Sequence, residues 1–345
     1  TIEFIIPSET VSISQLLTDI DLNANAVRLK LLFLSPDYIK RIPKHQNITI
    51  QTDIIGQLCK TGNWFTSLQE DYSKLESIVK STKTISVNAS LYQNAGANMV
   101  QQLAYALAHA NEYLNHFDHQ LTETEKLSLQ FNFEISVGTN YFFEIAKLRA
   151  LRILYQTLSE AYGFNTNCYI AVTPTKRNKT IYDYNTNMLR TTTECMSAIL
   201  GGSNSITNLS YDSLYHKNNE FGERIARNQL LILKEESYFD KVDNPADGTY
   251  YIESLTTQLC DKALTLFKDI EAQGGFLTQL KANTIQQKIK ESAQKEQHLF
   301  DSGDTILLGT NKHPNPQDKM KNDIELYPFM KLNPVKTLIG PIIEK

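Results

Sequence analysis

The stretch Leu129-Gln-Phe-Asn-Phe-Glu-Ile-Ser-Val137 alternates large apolar residues with polar ones along its whole length. This period of two is that of a β-strand, whose successive side chains point to opposite faces of a sheet. Six further short runs rich in β-branched residues are predicted as strands, at residues 1–6, 27–33, 48–52, 84–89, 168–172 and 205–209. Each gap between strand starts can hold one helix, so the pattern predicts βαβ units and a parallel sheet.

Three of the stretches between the strands carry apolar residues at the spacing of a helix face. They are residues 98–114, residues 142–158 and a long helix for which Ser254 is the predicted N-cap. The glycine pair at 274–275 is predicted to end the third helix, because glycine adopts the left-handed conformation readily. The tail after Gly309 holds half of the chain's ten prolines, and we expect it to run over the surface as a loop.

Seven strands with interleaved helices fit two architectures, an open doubly wound sheet and a (β/α)8 barrel. No Gly-x-Gly-x-x-Gly or Walker sequence follows any predicted strand, which disfavours the nucleotide-binding sheet. A barrel needs one strand more than the seven, and we expect that strand to precede Thr1. The expected domains are a barrel over residues 1–310 and a proline-rich extension over 311–345 on its surface.

Composition excludes several classes of protein. The chain has 345 residues, a net charge of −4 and a pI near 6.0, which argues against binding to nucleic acid or to anionic membranes. No stretch of about 18 apolar residues could span a membrane. The four cysteines lie far apart without a CxxC pair, so we expect reduced thiols in a cytoplasmic protein and no zinc or iron–sulfur site.

Few residues suggest chemistry by their spacing alone. His116 and His119 could face one metal ion on a helix, but a solvated helix end is the preferred interpretation. Asp53 and Glu134 lie at or near strand ends, where barrel active sites form, and we interpret them as a helix cap or a buried salt bridge. No catalytic set can be assigned from the residue pattern.

Several longer strings carry a resemblance to one family. Together they closely resemble methylmalonyl-CoA mutases, which are adenosylcobalamin-dependent acyl-CoA isomerases, and the match runs from about residue 48 to 312. The resemblance implies a (β/α)8 barrel whose substrate threads the barrel axis, and it interprets Arg190, Arg224 and Arg227 as helix anchors. The strings are Gln93-Asn-Ala-Gly-Ala97, Phe143-Glu-Ile-Ala-Lys-Leu-Arg-Ala150, Asn187-Met-Leu-Arg-Thr-Thr-Thr-Glu-Cys-Met-Ser-Ala-Ile-Leu-Gly-Gly202, Arg224-Ile-Ala-Arg-Asn-Gln229 and Asp243-Asn-Pro-Ala-Asp-Gly-Thr-Tyr-Tyr-Ile-Glu253.

The resemblance implies that the catalytic positions of the family are replaced in this chain. Active members carry Tyr-His where this chain has Ser90 and Leu91, and a leucine cannot donate a hydrogen bond to a thioester carbonyl. The arginine that clamps the substrate carboxylate falls at about Thr61. Lys60 lies beside it but cannot reproduce a bidentate guanidinium.

The cofactor positions differ from those of active members as well, and only part of the substrate pocket is retained. The resemblance places cofactor-facing residues at Asn94, Gly202 and Asn204, each of which is a replacement, so we expect no cofactor and no metal on this chain. The cobalt-ligating Asp-x-His-x-x-Gly motif does not occur in these 345 residues, and we expect the C-terminal cobalamin-type domain to be absent. Thr49 and Gln51 match the family's substrate pocket, and we expect them to be vestigial substrate-binding residues.

These replacements resemble the small, non-catalytic subunit of heterodimeric methylmalonyl-CoA mutases, which interconvert methylmalonyl-CoA and succinyl-CoA in propionate metabolism. The implied partner is the large catalytic subunit, which holds adenosylcobalamin. A homodimer of the isolated chain is left open, because the sequence does not determine the oligomeric state without the partner. One alternative is an active acyl-CoA mutase that uses a separate cobalamin-domain chain, with Tyr92 or Lys60 supplying the lost groups. Another is a vestigial acyl-CoA-binding module.

Overall fold

The computed structural model describes residues 1–317 and 324–326, and its strands form two parallel sheets. The first sheet has the order β1-β2-β3 and the second β4-β5-β6-β7. Apart from residues 311–317 and 324–326, the predicted extension over 311–345 lies outside the described residues. The strands are β1 (Ile2–Ile6), β2 (Val27–Leu31), β3 (Ile48–Gln51), β4 (Thr84–Asn88), β5 (Gln130–Val137), β6 (Cys168–Pro174) and β7 (Ser205–Ile206).

Helices fill the connections between strands and continue beyond β7. They are α1 (Ile13–Leu16), α2 (Pro36–Lys40), α3 (Ile54–Thr61), α4 (Leu68–Thr82), α5 (Ser90–Ala95), α6 (Met99–Asp118), α7 (Glu123–Ser128), α8 (Tyr141–Ala161), α9 (Thr186–Leu200), α10 (Glu220–Leu231), α11 (Tyr250–Ala272), α12 (Phe276–Lys281) and α13 (Thr284–Asp301). A π-helical turn, Ile232–Glu236, follows α10 directly. No helix among the described residues is long and apolar enough to cross a membrane.

The predicted strands and helices are confirmed, with shifted ends. Each of the seven predicted strands is present, although the last is only the two residues of β7. The prediction of Ser254 as an N-cap is wrong, because α11 begins one turn earlier, at Tyr250. Ile252 is buried and lies three residues before Leu255, so the apolar stripe of this helix starts before Ser254. The glycine pair that follows Ala272 ends α11 as predicted, with positive φ at both glycines.

Strand β5 is enclosed on both faces. Phe131 and Phe133 are fully buried on the face that meets the helices. Asn132 and Ser136, on the opposite face, are also buried. The polar residues of the alternating pattern therefore point into the protein and not into solvent.

The polar faces of the two sheets face each other. Lys30 on β2 forms an ion pair with Glu134 on β5, although these strands belong to different sheets. The Arg28 guanidinium, also on β2, lies 4.4 Å from the ring centroid of Tyr169 on β6. Side chains of β2 can reach β5 and β6 in this way only if the two sheets curve around a shared interior.

The sheets adjoin at β3 and β4, but the described residues form no closed barrel. The Thr84 hydroxyl donates to the Ile50 carbonyl at 2.9 Å, and the Ser86 amide donates to the Thr52 carbonyl at 3.4 Å. Within residues 1–317 and 324–326, no strand pairs with the outer edge of β1 or β7. The observed fold is thus an α/β fold with parallel sheets, and the closure expected of a (β/α)8 barrel is not seen.

Helix α6 is the central helix of the outer layer. It packs against α8, α11 and β4, and most of its residues are buried. Ala104, Ala106, Ala108 and Ala110 are fully buried and let the neighbouring backbones approach closely. A capping box between Asn98 and Gln101 fixes the first turn of the helix. This rigid layer holds the carboxyl ends of β3, β4 and β5 in place.

Candidate functional site

A small polar cavity lies between the two sheets, at the carboxyl ends of β2, β3 and β4. In parallel α/β folds, this end of the strands is where ligand and active sites form. The cavity has a volume of about 70 Å³. The polar and charged side chains that line it include those of Lys30, Gln51, Asp53, Lys60, Ser86, Asn88 and Glu134.

Charged side chains of the interior lie in pairs of opposite sign, of which Lys30–Glu134 joins the two sheets. Burial opposes the charged form of Lys30, but the contact with Glu134 outweighs it and the pKa of Lys30 is raised. A second pair joins Arg28 and Glu3 at 3.5 Å. Burial and the Glu134 carboxylate raise the pKa of Glu3 despite Arg28. The interpretation of Glu134 as a salt-bridge residue is therefore confirmed, although its side chain is half-buried and not fully buried.

Thr49 and Gln51, which the resemblance assigns to a vestigial substrate pocket, both lie on β3. Gln51 is only 2 % exposed, and its side-chain oxygen and nitrogen have no hydrogen-bond partner among the described residues. The buried Ser86 hydroxyl on β4 has none either. Thr49 is two residues before Gln51, so it shares the inward face of the strand. Buried polar groups of this kind can bind a small polar ligand.

Asp53 lines the cavity, and its carboxylate accepts four hydrogen bonds. One carboxylate oxygen accepts hydrogen bonds from the Gly56 amide at 2.7 Å, the Tyr113 hydroxyl at 2.7 Å and His109 Nε2 at 3.0 Å. The other oxygen accepts from the Asn88 amide at 2.6 Å. Asp53 is the N-cap of α3, so its interpretation as a helix cap is confirmed. It joins α3, β4 and α6.

The environment of Asp53 favours its charged form. Burial alone would raise the pKa of this carboxyl, but the His109 ring and the hydrogen bonds from Asn88 and Tyr113 prevail, and the pKa is lowered. His109 is fully buried, and its Nδ1 lies 2.9 Å from the Tyr92 hydroxyl. Asp53, His109 and Tyr92 thus form a continuous buried chain between the cavity and α5.

A substitution at Gly56 tests how tightly this cap is built. A Cβ atom at this position would overlap the Asp53 carboxylate, which cannot move without breaking its other hydrogen bonds. We expect Gly56→Ala to lower the free energy of unfolding by about 1–3 kcal/mol, measured in urea. Gly163→Ala is the comparison, since its left-handed φ adds strain but no atom lies within 4 Å of its added Cβ. If Gly56→Ala is as stable as the parent, the cap is looser than its geometry indicates.

The residues at which the resemblance predicts replaced catalytic groups make contacts within their own chain. Ser90 donates to the Asn88 side chain at 2.5 Å. Leu91 is 2 % exposed and belongs to the hydrophobic core. Thr61 is the last residue of α3, and its hydroxyl donates to the carbonyls of Gln57 and Asn63. The structure does not bring these three side chains together around one polar point.

The residues at the expected cofactor positions also form hydrogen bonds within their own chain. The Asn94 side chain donates to the Ser136 hydroxyl, and it accepts from the Thr175 hydroxyl and the Lys176 amide. These bonds hold the segment after β6 against α5. The Arg177–Glu296 ion pair continues that attachment to α13.

Gly202 and Asn204 are held by one arginine. The Gly202 carbonyl and the Asn204 side chain both accept hydrogen bonds from Arg152. The polar atoms at these three positions are engaged by the chain itself and do not fit a corrin group. Among the described residues, no three His, Cys, Asp or Glu side chains form a group that could hold a metal ion. His116 bonds to Glu76 at 2.9 Å, and His119 is exposed.

Two buried ion pairs were not identified from the sequence. Lys147 contacts Glu144 at 2.5 Å, and both side chains are at most 2 % exposed. Lys179 contacts Glu194 at 2.7 Å, also fully buried. The signal for the first pair was its spacing of three residues on a predicted helix. The second pair joins a loop to α9, and no local pattern indicates it.

Comparison with known proteins places this fold and site in a family. The profile of the methylmalonyl-CoA mutase family matches residues 6–333. The chain belongs to the methylmalonyl-CoA mutase family. The resemblance drawn from the sequence strings is thereby confirmed.

Individual relatives refine the position of the chain within the mutase family. It is 40 % identical over 238 residues to the methylmalonyl-CoA mutase small subunit of Porphyromonas gingivalis, an alignment that covers 68 % of this chain and 38 % of that protein. It is 30 % identical over 247 residues to the large subunit of the same organism, covering 70 % of this chain and 34 % of that subunit. It is 32 % identical over 234 residues to the Escherichia coli methylmalonyl-CoA mutase, an alignment that covers 67 % of this chain and 33 % of that protein. The chain therefore matches between about a third and two fifths of the length of these relatives.

The three arginines of the family strings differ in their contacts. Arg190 donates to Thr186, to Asn187 and to the Leu308 carbonyl, so its interpretation as an anchor is confirmed. Arg224 and Arg227 are exposed on α10, and Arg224 lies over a ring of its own helix. The anchoring role predicted for these last two remains a prediction.

Proposed function

We propose that this chain is the small, non-catalytic subunit of a heterodimeric methylmalonyl-CoA mutase. Its partner would be the large subunit, which would hold adenosylcobalamin and isomerise methylmalonyl-CoA and succinyl-CoA. The observation that carries the proposal is the Lys30–Glu134 ion pair across the interior between the sheets. The replacements at Ser90, Leu91 and Thr61 point in the same direction.

The proposal includes a (β/α)8 barrel. The seven strands are parallel, their polar faces meet across one interior, and β3 adjoins β4. These features favour seven strands of a barrel over two independent sheets, because polar side chains of unconnected sheets would face solvent. We assign residues 1–310 to this barrel.

The interior of such a barrel is too small here for the substrate of a mutase. Pockets for ligands of drug size measure about 300–1,000 Å³. The cavity between the sheets measures about 70 Å³. The ion pair between Lys30 and Glu134 lines this cavity. Arg28, which pairs with Glu3, reaches across the interior to the ring of Tyr169 on the other sheet. An acyl-CoA could enter only if these pairs separated.

Support for a large-subunit partner comes from the relatives and from the surface. This chain is similar to both the small and the large subunit of one organism, and more similar to the small one. Leu189 on α9 is 69 % exposed and Tyr250 on α11 is 93 % exposed, as expected for residues that a partner chain would cover. The four cysteines are unpaired, which is consistent with the proposed cytoplasmic location.

Co-expression with the large mutase subunit of the same organism tests this proposal. We expect a stable one-to-one complex on sizing, with mutase activity in the complex and none in this chain alone. Replacing the interior pair in this chain, as Lys30→Met with Glu134→Leu, should leave activity per large subunit unchanged. Turnover by this chain alone with adenosylcobalamin and a cobalamin-domain protein would overturn the proposal, as would failure of the two subunits to associate.

A vestigial acyl-CoA-binding role is the second candidate, and the unpaired Gln51 amide favours it. Titration of the chain with methylmalonyl-CoA distinguishes the two roles. Binding that Gln51→Leu abolishes would support the second candidate. The primary proposal expects no saturable binding, because the interior is closed.

A further inference from the structure

A second, larger cavity lies beyond the carboxyl ends of β5 and β6, where Gly138 and Thr175 line it. It opens between α11 and α13, next to the first turns of α6 and α8, and its volume is about 900 Å³. It shares no lining residue with the polar cavity at Lys30 and Glu134. Its size falls within the range of about 300–1,000 Å³ that is typical of small-molecule sites.

The walls of this cavity are apolar over most of their surface. Leu259 and Leu266 of α11 form one wall, and Leu299 of α13 lies opposite. Val100 and Phe143, from the first turns of α6 and α8, lie between these walls. Leu299 is 46 % exposed, so the apolar surface extends to the opening. An apolar chain would be removed from water along this whole path.

The cavity lining carries two lysines whose positive charges are not paired with a carboxylate among the described residues. The charged residues of the lining are Glu144, Arg177, Glu296, Lys262 and Lys295. Arg177 is paired with Glu296, and Glu144 is paired with Lys147. Lys262 of α11 and Lys295 of α13 form no ion pair within the part of the chain that the structure describes, and both are exposed. They face the cavity from its two walls, so an anionic group at the opening would meet two ammonium groups.

We propose that this cavity binds a single-chain amphiphilic carboxylate, with its apolar chain between α11 and α13 and its carboxylate at Lys262 and Lys295. The apolar walls select the chain and the two unpaired lysines select the charge. A free monomeric carboxylate is the occupant, because the cavity is a pocket between helices and not a flat surface that could lie on a bilayer. The site shares no lining residue with the polar cavity at Lys30 and Glu134, although Arg177 and Glu296 also belong to the contacts around Asn94.

Calorimetric titration of the full-length protein with decanoate, below its micelle concentration, tests the site. We expect saturable binding of one decanoate and much weaker binding of decanol, which lacks the charge. The paired change Lys262→Gln with Lys295→Gln should weaken binding by about five- to tenfold, as expected for two partly exposed ion contacts. Ser292→Trp places a large side chain into the cavity from α13 and should abolish binding.

The matched control is Lys268→Gln with Lys290→Gln, which removes one exposed lysine from each of the same two helices outside the cavity. It should leave the affinity for decanoate unchanged. Absence of binding to the parent protein would overturn the proposal. So would equal binding of decanol, equal losses in the two lysine pairs, or unchanged binding to a folded Ser292→Trp protein.

Discussion

Asp53→Ala is expected to lower the free energy of unfolding by about 3–5 kcal/mol, because it removes a buried charged acceptor from four donors at once. The Gly56 and Asn88 amides, the Tyr113 hydroxyl and His109 Nε2 would all lose their acceptor. His109 and Tyr113 are fully buried, so water cannot reach them without opening the core. The measurement is urea unfolding of parent and variant at neutral pH.

The pH dependence of the same variant gives a separate signature. Since the pKa of Asp53 is lowered in the folded protein, its contribution is present above the unfolded value of about 3.9 and is lost as pH falls through the folded value. The parent should therefore lose more stability on acidification than Asp53→Ala does. Asp37→Ala is the control, since this exposed carboxylate forms an ion pair with the exposed Lys40 and its removal should change stability far less than Asp53→Ala does. Equal effects at Asp53 and Asp37 would contradict the central role of the cap.

The positions of the strands could be predicted because each strand carries a local signal. The alternation in residues 129–137 is visible in the sequence, and the strand Gln130–Val137 follows it. Asp53 could be interpreted as a cap or salt-bridge residue from its place at the end of a predicted strand, and the structure shows that it caps the helix that follows. Local periodicity and helix capping depend on residues close together in the chain, so both can be recognised in the sequence.

The arrangement of the interior could not be predicted, because it depends on residues distant in sequence. Lys30 and Glu134 lie on strands of different sheets, and no local pattern indicates that they meet. The period of two shows that polar side chains share a face but not whether that face is buried. The cavity between α11 and α13 escaped notice for the same reason, since its walls come from helices that the chain adds after the last strand.

Lys147→Met is expected to lower the free energy of unfolding by about 3–5 kcal/mol, because it leaves the Glu144 carboxylate buried without its counter-charge. The Lys147 ammonium contacts Glu144 at 2.5 Å and donates to Gln93, Gln102 and the Ser136 carbonyl. Burial lowers the pKa of Lys147 even though Glu144 opposes this. The charge thus lies in a costly environment and is held there by its partners. Urea unfolding measures the loss.

Removing both charges together separates the ion pair from its surroundings. In Lys147→Met with Glu144→Leu no charge is left unpaired, so we expect this protein to recover at least half of the stability that Lys147→Met loses. The exposed pair Lys288–Glu291 has the same spacing, and Lys288→Met should cost about 1 kcal/mol or less. If the double variant is no more stable than Lys147→Met, the hydrogen bonds to Gln93, Gln102 and Ser136 hold α8 to β5 and α5, and the charge of Glu144 is secondary. Recovery would instead show that the buried charge dominates, and that the lysine is needed chiefly because the glutamate is there.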